Sequence, residues 1–283
     1  MNTFCELFGF SKQAYYKQGK AKVHSSKELI QAKSAVLQIR RLLPRLGTRK
    51  LQYILKEELS IGRDKLFSLL RQEGLLITRK KRYTITTNSK HWMFKYPNII
   101  KDIHLTGPEQ LWVADITYLD TLEGNIYLHL ITDAYSKQIM GYELCSNMEA
   151  VSTAKALGMA VKNRQYPENS LIHHSDRGLQ YCSKLYVNML KENAIQISMT
   201  ENGSPYENAV AERINGILKD EFGLAEQLND LKGAIRQTSQ SIGLYNNMRP
   251  HLSCQMLTPL QMHQQQEIKI KTYKKTSNIF ENV

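Results

Sequence analysis

Hydrophobic and polar residues in the N-terminal part of the chain recur with the three-to-four-residue spacing of amphipathic helices. The pattern predicts a helical fragment over residues 1–18, in which Ser11 is a candidate N-cap. A longer periodic helix is predicted over residues 27–43, because Pro44 and Gly47 follow it and end it. We therefore expect an all-helical N-terminal region.

Two shorter helices are predicted next, over about residues 49–58 and 63–73, with a turn at Gly62 between them. A pair of short helices joined by a glycine-containing turn is typical of a helix-turn-helix, whose second helix contacts DNA. The polar residues that this second helix would present are Arg63, Lys65, Ser68, Arg71 and Gln72. The spacing thus predicts a DNA-binding arm.

From about residue 107 the pattern changes to short apolar runs separated by turns and amphipathic segments. The runs predict strands over residues 111–119, 126–132, 138–144, 171–175 and 195–199. The amphipathic segments predict helices over residues 150–163, 178–192, 206–222 and 229–246. Three consecutive strands followed by alternating helices and strands indicate an α/β domain with a mixed five-stranded sheet.

Positive charge is concentrated before this domain. The chain has 283 residues and a net charge of +12. Residues 1–100 contain 21 Lys/Arg and 6 Asp/Glu, whereas residues 101–283 contain 17 and 20. The segment over residues 78–96 is poorly periodic, and its basic residues include Arg79, Lys80, Lys81 and Arg82. This asymmetry favours a polyanionic partner such as double-stranded DNA, along which the basic segment would run.

The cysteines and the apolar runs exclude other classes of protein. None of the 4 cysteines forms a C-x-x-C pair, so neither a zinc knuckle nor a disulfide framework is expected. Free thiols are typical of a reducing compartment. No signal-peptide pattern and no apolar run of about 18–20 residues occurs, so we expect a soluble cytoplasmic protein without a membrane partner.

Asp115 lies in the first predicted strand, Leu-Trp-Val-Ala-Asp-Ile-Thr-Tyr-Leu over residues 111–119. Both alternating sets of positions in this strand are apolar, which is typical of a central, buried strand. A carboxylate in such a strand must be paired, protonated or bound to a metal to offset its desolvation. Asp115 is therefore a candidate metal ligand, with a strand-end aspartate bonded to a turn as the alternative.

Asp176 follows the fourth predicted strand in Ile-His-His-Ser-Asp-Arg-Gly, residues 172–178. The carboxyl end of a strand that leads into a helix is where open α/β sheets place ligand-binding groups. The alternative is a helix N-cap, which needs no metal. His173 and His174 invite a zinc interpretation, but no further ligands have suitable spacing, so a core or supporting role is favoured.

Glu212 follows a strong helix start, because Ser204-Pro205-Tyr206-Glu207 matches a capping box with proline at the first helical position. At about 100° per residue, one narrow polar stripe of the helix contains Asn208, Glu212, Asn215 and Lys219. The adjoining apolar sector contains Val210, Ala211, Ile214, Ile217, Leu218 and Phe222. Glu212 is thus a candidate ligand on a polar seam beside the core, whereas an ordinary solvated face would carry more charge.

Two other acids have ordinary explanations. Asp133 stands at the end of the second predicted strand, where capping of the following turn accounts for it. Glu207 belongs to the capping box.

Asp115, Asp176 and Glu212 together suggest a reaction. Hard oxygen ligands favour Mg²⁺ or Mn²⁺ over zinc. Two such ions can activate a water or a 3′-hydroxyl and stabilise the leaving oxygen of an in-line displacement at phosphorus. Lys219 could hold a phosphate of the DNA as a point charge. The candidate chemistry is cleavage and joining of phosphodiesters.

With these residues in view, the chain resembles the DDE transposases of two-reading-frame bacterial insertion sequences, in particular their second-frame protein. These transposases are relatives of retroviral integrases. The similarity is carried by Trp112-x-x-Asp115-Ile-Thr-Tyr118, His174-Ser-Asp176-Arg-Gly-x-Gln-Tyr181, the 35 residues between Asp176 and Glu212, Lys219 seven positions later, Tyr245-Asn-Asn-Met-Arg-Pro-His251 and Thr258-Pro259.

The resemblance implies a ribonuclease-H-like fold in which Asp115, Asp176 and Glu212 bind two catalytic Mg²⁺ or Mn²⁺ ions. It implies metal-dependent DNA strand cleavage and strand transfer on the ends of an insertion sequence and on target DNA. Expected protein partners are a second copy on DNA and an upstream-frame helix-turn-helix protein. The expected organisation is a DNA-binding helix-turn-helix arm (1–77), a basic linker (78–106), the catalytic domain (107–265) and a basic tail (266–283).

Two functions of other classes stay open at this point. One is a metal-dependent nuclease that only hydrolyses, against which the basic arm and the pairing of Glu212 with Lys219 speak. The other is a non-catalytic DNA-binding regulator derived from a transposase, against which the intact set of three carboxylates speaks. Strand-transfer and metal-dependent cleavage assays separate them.

Overall fold

The computed structural model describes residues 11–59, 61–78, 92–101, 103–201 and 208–264. The chain divides into two compact units, Met1–Lys80 and Lys81–Val283. The boundary between the units falls inside the basic segment that the sequence pattern sets apart from the sheet-forming region. None of the helices in the described ranges is both long enough and apolar enough to span a bilayer.

In its described residues, the first unit contains three helices, α1 (Lys12–Leu42), α2 (Thr48–Leu55) and α3 (Arg63–Gln72). They contact one another pairwise. The buried residues of this unit, in the helices and in the turn between α1 and α2, include Ala32, Val36, Leu43, Leu46, Leu51, Leu55, Leu66 and Leu70. The helices are confirmed, with one correction: α1 runs unbroken where the pattern suggested two separate helices, and residues 1–10 lie outside the described ranges.

The second unit is built on a five-stranded sheet with strand order β3-β2-β1-β4-β5. The strands are β1 (Leu111–Thr121), β2 (Gly124–Asp133), β3 (Ile139–Cys145), β4 (Ile172–Ser175) and β5 (Gln196–Met199). β2 pairs antiparallel with both β1 and β3, whereas β4 pairs in parallel with both β1 and β5. This mixed sheet, with β1 at its centre, confirms the predicted ribonuclease-H-like α/β fold.

Six α-helices accompany the sheet in the part of this unit that the structure describes: α4 (Ala150–Lys162), α5 (Leu179–Cys182), α6 (Lys184–Glu192), α7 (Ala209–Glu221), α8 (Leu231–Met248) and α9 (Pro259–Gln264). The single helix predicted over residues 178–192 is divided at Ser183, where the backbone is extended. The Ser183 hydroxyl accepts a hydrogen bond from the Tyr186 N–H and so caps the start of α6. α7 begins at Ala209, three residues later than predicted, and the capping box of residues 204–207 lies outside the described ranges.

The two faces of β1 pack against different helices. Trp112 and Ala114 belong to a large core with residues of α4 and α6, whereas Leu111 and Val113 pack with Ala211 of α7. This double burial is what the apolar strand pattern predicts. At Gly141 in β3, an added Cβ would meet the Ala156 carbonyl oxygen, so glycine is needed for the close approach of α4.

The C-terminal motif over residues 245–251 stabilises the domain rather than projecting into solvent. Asn246 exchanges two hydrogen bonds with the backbone of Ile139 at 3.0 Å each. Arg249, 1% exposed, makes a bidentate pair with Glu221 at 2.6 and 2.8 Å. These contacts join α8 and the segment after it to β3 and α7.

A second polar group, here called the buried clamp, consists of Glu109, Asp133, Ser136, Arg164 and His263. Glu109 accepts hydrogen bonds from the backbone N–H groups of Gln165 and Tyr166 and pairs with Arg164 at 3.2 Å. His263 of α9 lies 3.2 Å from Glu109 and 2.9 Å from the Ser136 hydroxyl. Asp133 accepts from Ser136 and from the Glu109 N–H, so it caps its turn as predicted and also joins the clamp.

Candidate active site

Helix α7 lies along the central strand, and its polar stripe faces β1. Asn208, just before the helix, donates to the Ala114 carbonyl at 2.9 Å. Asn215 donates to Asp115 Oδ2 at 2.7 Å. Further along, Lys219 Nζ lies 4.4 Å from the centroid of the Tyr118 ring. The apolar sector beside the stripe is buried, as the helical periodicity predicts.

Asp115 is held in the middle of β1 by two hydrogen bonds. Its Oδ2 accepts from the Asn215 amide, and its Oδ1 accepts from the backbone N–H of Ile116 at 2.9 Å. Burial raises the pKa of Asp115 to about 7, and repulsion from Asp176 and then Glu212 adds to the increase. The two hydrogen bonds act in the opposite direction but do not cancel it. The ionised carboxylate of Asp115 would thus have two neutral hydrogen-bond donors and two negatively charged acids beside it.

Asp176 stands directly after β4, which pairs in parallel with β1. Val113 of β1 is the register partner of His174 of β4. Asp115 follows Val113 by two positions, and Asp176 follows His174 by two positions, so the two acids stand at equivalent places along neighbouring strands. Asp176 Oδ1 accepts from the Gly178 N–H at 3.0 Å, which fixes the turn into α5. The predicted position at the carboxyl end of a strand is therefore the observed one.

Glu212 lies in the first turn of α7, and its side chain is exposed. Partial desolvation raises its pKa. Because both Glu212 and Asp176 act electrostatically on Asp115, three segments distant in sequence bring their carboxylates into one neighbourhood. Within the described ranges, no three His, Cys, Asp or Glu side chains are arranged tightly enough to hold a metal ion. The acids are neighbours whose oxygens do not yet converge on one point.

The neighbouring histidines are part of the core. His173 is 1% exposed, and its Nε2 is hydrogen-bonded to the Tyr186 hydroxyl at 2.8 Å. Burial lowers the pKa of His173 to about 3, so the ring is neutral. His174 is buried, with Nδ1 2.8 Å from the Ser198 hydroxyl. These contacts agree with the core role that the sequence favoured over zinc binding.

The candidate DNA-contacting residues of the arm lie on or near α3. Arg63 pairs with Asp64 at 2.9 Å, and Lys65 pairs with Glu28 at 2.9 Å across the helical unit. Both cations remain substantially exposed, as does Arg71. Arg79, Lys80, Lys81 and Arg82 lie outside the described ranges.

The sequence pattern placed Asn215 on the polar stripe but gave it no role. Its amide is 5% exposed and donates to Asp115, and its Oδ1 is buried without a partner in the described structure. The signal that could have revealed this role was the spacing itself, because Asn215 follows Glu212 by three positions and so shares its helical face.

With this geometry established, comparison with known proteins identifies the class. Family models described as integrase core domain match residues 106–205 and 193–259. The uncharacterized 31 kDa protein of insertion element IS600 from Shigella sonnei is 34% identical over 260 residues, covering 90% of this chain and 95% of that protein. The transposase of insertion sequence element IS629 from Shigella sonnei is 31% identical over 204 residues, covering 72% and 68%.

Among solved structures, the HTLV-2 integrase catalytic core domain in complex with magnesium is similar at 17% identity and a TM-score of 0.45, over 56% of this chain and 97% of that one. The sequence relatives show the family: the chain belongs to the insertion-sequence transposases that contain an integrase core domain. It is a DNA-transposing enzyme of the polynucleotidyl transferase class, and DNA is its partner.

Proposed function

We propose that this transposase cleaves the ends of its insertion sequence and joins them to target DNA at a divalent-metal centre held by Asp115, Asp176 and Glu212. The observation that carries the proposal is the mutual repulsion of these acids, with the pKa of Asp115 raised to about 7. Grouping acids in a desolvated place destabilises a protein unless cations compensate the charge. In the buried clamp, Glu109 pairs with the Arg164 guanidinium, whereas Asp115 accepts from an amide and a backbone N–H and is repelled by two other acids.

The donor set fits a hard divalent cation. All three side chains offer carboxylate oxygen, which favours Mg²⁺ or Mn²⁺ over softer metals. Two bound ions would supply the activation of a water or a 3′-hydroxyl and the stabilisation of the leaving oxygen. Glu212 is exposed on a helix, so its side chain can turn toward Asp115 without movement of the backbone.

Asn215 is proposed to position Asp115. Its amide fixes Oδ2 and leaves the other lone pairs of the carboxylate available for a metal. The amide oxygen, Oδ1, is buried without a partner in the described structure and can accept a hydrogen bond from a water at the site. Asn215 therefore acts through Asp115 and is a positioning residue.

Lys219 is proposed to hold DNA. Its ammonium group lies over the Tyr118 ring, at a distance where cation–π attraction operates. Asn215 and Lys219 are one helical turn apart, about 6 Å along the axis, so a flexible side chain can exchange the ring for a phosphate beside the carboxylates.

The helical arm is proposed to bind duplex DNA through Arg63, Lys65 and Arg71, and the basic segment through Arg79, Lys80, Lys81 and Arg82. The exposed cations of α3 and the charge excess of residues 1–100 support this assignment. Binding should weaken steeply as salt rises, because each contact releases counterions from the DNA. We further propose that two copies act together on DNA, with an upstream-frame helix-turn-helix protein as a second partner.

The test is a strand-transfer assay with the full chain, labelled element-end DNA and Mg²⁺ or Mn²⁺. Asp115→Asn, Asp176→Asn and Glu212→Gln should each abolish cleavage and joining while DNA binding persists. Metal-dependent cleavage without joining would identify a hydrolytic nuclease instead. DNA binding with neither reaction in the wild-type protein would identify a regulator, and joining by any of the three variants would remove that residue from the site.

A further inference from the structure

A short segment before the catalytic sheet runs along the outer edge of β5. The Pro97 carbonyl accepts from the Met199 N–H at 3.3 Å. Two residues later, the Ile99 N–H donates to the Ser198 hydroxyl at 3.1 Å. Met199 is the register partner of Ser175, which directly precedes Asp176. Since hydrogen-bonded strands lie about 4.8 Å apart, Pro97 lies on the order of 10 Å from Ser175.

The same segment carries alternating aromatic residues that lead from the core into solvent. Tyr96 packs against the large core cluster beneath β5. The Phe94 ring meets Tyr96 edge-on, with centroids 5.0 Å apart and an interplanar angle of 85°. Phe94 is 72% exposed, and Trp92 is 90% exposed. One end of the series is therefore anchored, and the other presents two aromatic rings to water.

Basic residues lie within and near this aromatic series. Lys95 lies between Phe94 and Tyr96, and Lys101 pairs with Glu201 at 2.7 Å further along the segment. Lys95, Arg177 and Asp176 all act electrostatically on the Cys182 thiol, whose pKa is raised chiefly by burial. Lys95 and Arg177 thus lie on the same flank of the domain as the second candidate carboxylate. Such a flank is complementary to a phosphate backbone that leads to the candidate active site.

We propose that Trp92 and Phe94 form a stacking platform for unpaired bases of the DNA end that is processed at the three carboxylates, with Lys95 contacting the adjacent phosphate. The inference rests on the proposed function, because it takes the DNA end as the ligand of the neighbouring site. An aromatic ring needs the face of a base, and in an intact duplex the faces are covered by neighbouring base pairs. Unpaired bases expose both faces and stack on aromatic side chains without regard to sequence.

The test uses intrinsic fluorescence, because the sequence contains only 2 tryptophans. Trp92 is almost fully exposed and Trp112 is fully buried, so contact with a ligand changes chiefly the emission of Trp92. The full chain is titrated in EDTA with a single-stranded oligonucleotide, a blunt duplex and a duplex that has several unpaired bases at one end. We expect quenching by the first and third DNAs and little quenching by the blunt duplex.

Two substitutions separate stacking from simple apolar contact. Trp92→Phe should abolish the fluorescence change yet keep the affinity for frayed DNA, because a ring remains. Trp92→Leu should lower the affinity for frayed DNA about tenfold, which is typical for the loss of one base–aromatic stack. The affinity of this variant for the blunt duplex should be unchanged. Leu122→Ala, at a residue that is 69% exposed on the β1–β2 turn, is the control for loss of an exposed apolar side chain.

Equal quenching by the blunt duplex would overturn the proposal, as would unchanged affinity of Trp92→Leu for frayed DNA. A Trp92→Leu variant that instead loses self-association in analytical ultracentrifugation, with DNA affinity intact, would show a protein-binding surface and also overturn it. Joining activity of the wild-type protein in Mg²⁺, measured in parallel, separates the two hypotheses. Joining without quenching defeats the platform alone, whereas quenching without joining supports the platform and defeats the proposed function.

Discussion

The catalytic domain contains two groups of acidic side chains that differ in how their charge is balanced. In the buried clamp, burial by itself would raise the pKa of Glu109, but His263 and two backbone N–H groups bring the pKa below its usual range. In the candidate site, burial and the neighbouring acids together raise the pKa of Asp115. The neighbours of Glu109 thus favour its ionised form, whereas the acids beside Asp115 disfavour ionisation of that side chain.

The difference between the two groups is clearest in a pair of buried aspartates. Asp115 and Asp133 are both aspartates of adjacent central strands, and burial raises the pKa of both. Asp133 faces His263, the Ser136 hydroxyl and two backbone N–H groups, which join distant parts of the chain. Asp115 faces two other acids. Burial alone does not distinguish the two aspartates, whereas the sign of the neighbouring charge does.

The largest expected effect comes from making the same substitution in both groups. Asp115→Asn should lower the joining rate about a thousandfold or more, because several kcal/mol of metal-derived stabilisation are lost. Asp133→Asn should retain the chemistry but lower stability by about 1–3 kcal/mol, since one backbone N–H would then face an amide NH₂. Joining kinetics and thermal unfolding of both variants check this.

In that experiment Asp115→Asn should unfold at or above the wild-type temperature in EDTA. The distinction between the two groups would be lost if Asp115→Asn unfolded early while Asp133→Asn stopped catalysis in a fully folded protein.

A smaller effect is expected in the pH dependence of stability without metal. The pKa of Asp115 is about 7 in the folded protein and 3.8 as a free side chain, so folding favours its protonated form. The contribution of Asp115 to the free energy of unfolding is therefore most favourable below about pH 4. That contribution is lost as the pH rises through about 7, where the folded protein must hold the side chain ionised. Relative to wild type, Asp115→Asn should raise the Tm at pH 8 by on the order of 5 °C, with no difference near pH 4.

Differential scanning calorimetry in EDTA measures this difference. Mg²⁺ should then raise the Tm of the wild type at pH 8 more than that of Asp115→Asn, because binding to the folded state alone stabilises it. Parallel unfolding curves for the two proteins at every pH would contradict the assigned pKa.

Asn215 should have an intermediate effect on activity. Asn215→Ala removes the amide that fixes Asp115, and loss of a residue that orients a metal ligand typically costs about 10–100-fold in metal affinity or activity. The Mg²⁺ concentration for half-maximal joining should rise. Asn215→Gln, which keeps the amide, should recover part of the loss, while Thr238→Ala removes another buried polar group elsewhere in the domain and serves as the control. An unchanged metal requirement in Asn215→Ala would leave the residue a packing role only.

Lys219 should show the smallest effect. Lys219→Ala should lower the joining rate by about fivefold to tenfold through weaker positioning of the DNA end, since one phosphate contact is lost, and should leave the metal requirement unchanged. Lys219→Arg should retain most of the activity because a cation still reaches the phosphate. The comparison is the DNA dependence of joining for both variants. Wild-type kinetics in Lys219→Ala would reduce Lys219 to a solvated helix residue.

Much of the fold was predictable from local patterns. The five strands followed from their apolar runs, and the burial of both faces of β1 followed from the lack of polar alternation. Helical periodicity assigned the buried and polar sides of α7. The break at Ser183 was not predictable, because the apolar pattern continues across it and only the extended backbone there separates α5 from α6.

The sequence by itself determined which residues are the candidates for the chemistry: the acid types, their motifs and the face of α7 on which Glu212 stands. Only the tertiary structure decided which charges balance one another. The pairing of Asn215 with Asp115 and of His263 with Glu109 joins residues 100 and 154 positions apart. Neither hydrophobic periodicity nor local spacing encodes such contacts, since those patterns report only the side of an element on which a residue lies. The electrostatic field at a carboxylate is set by the groups that folding brings near it.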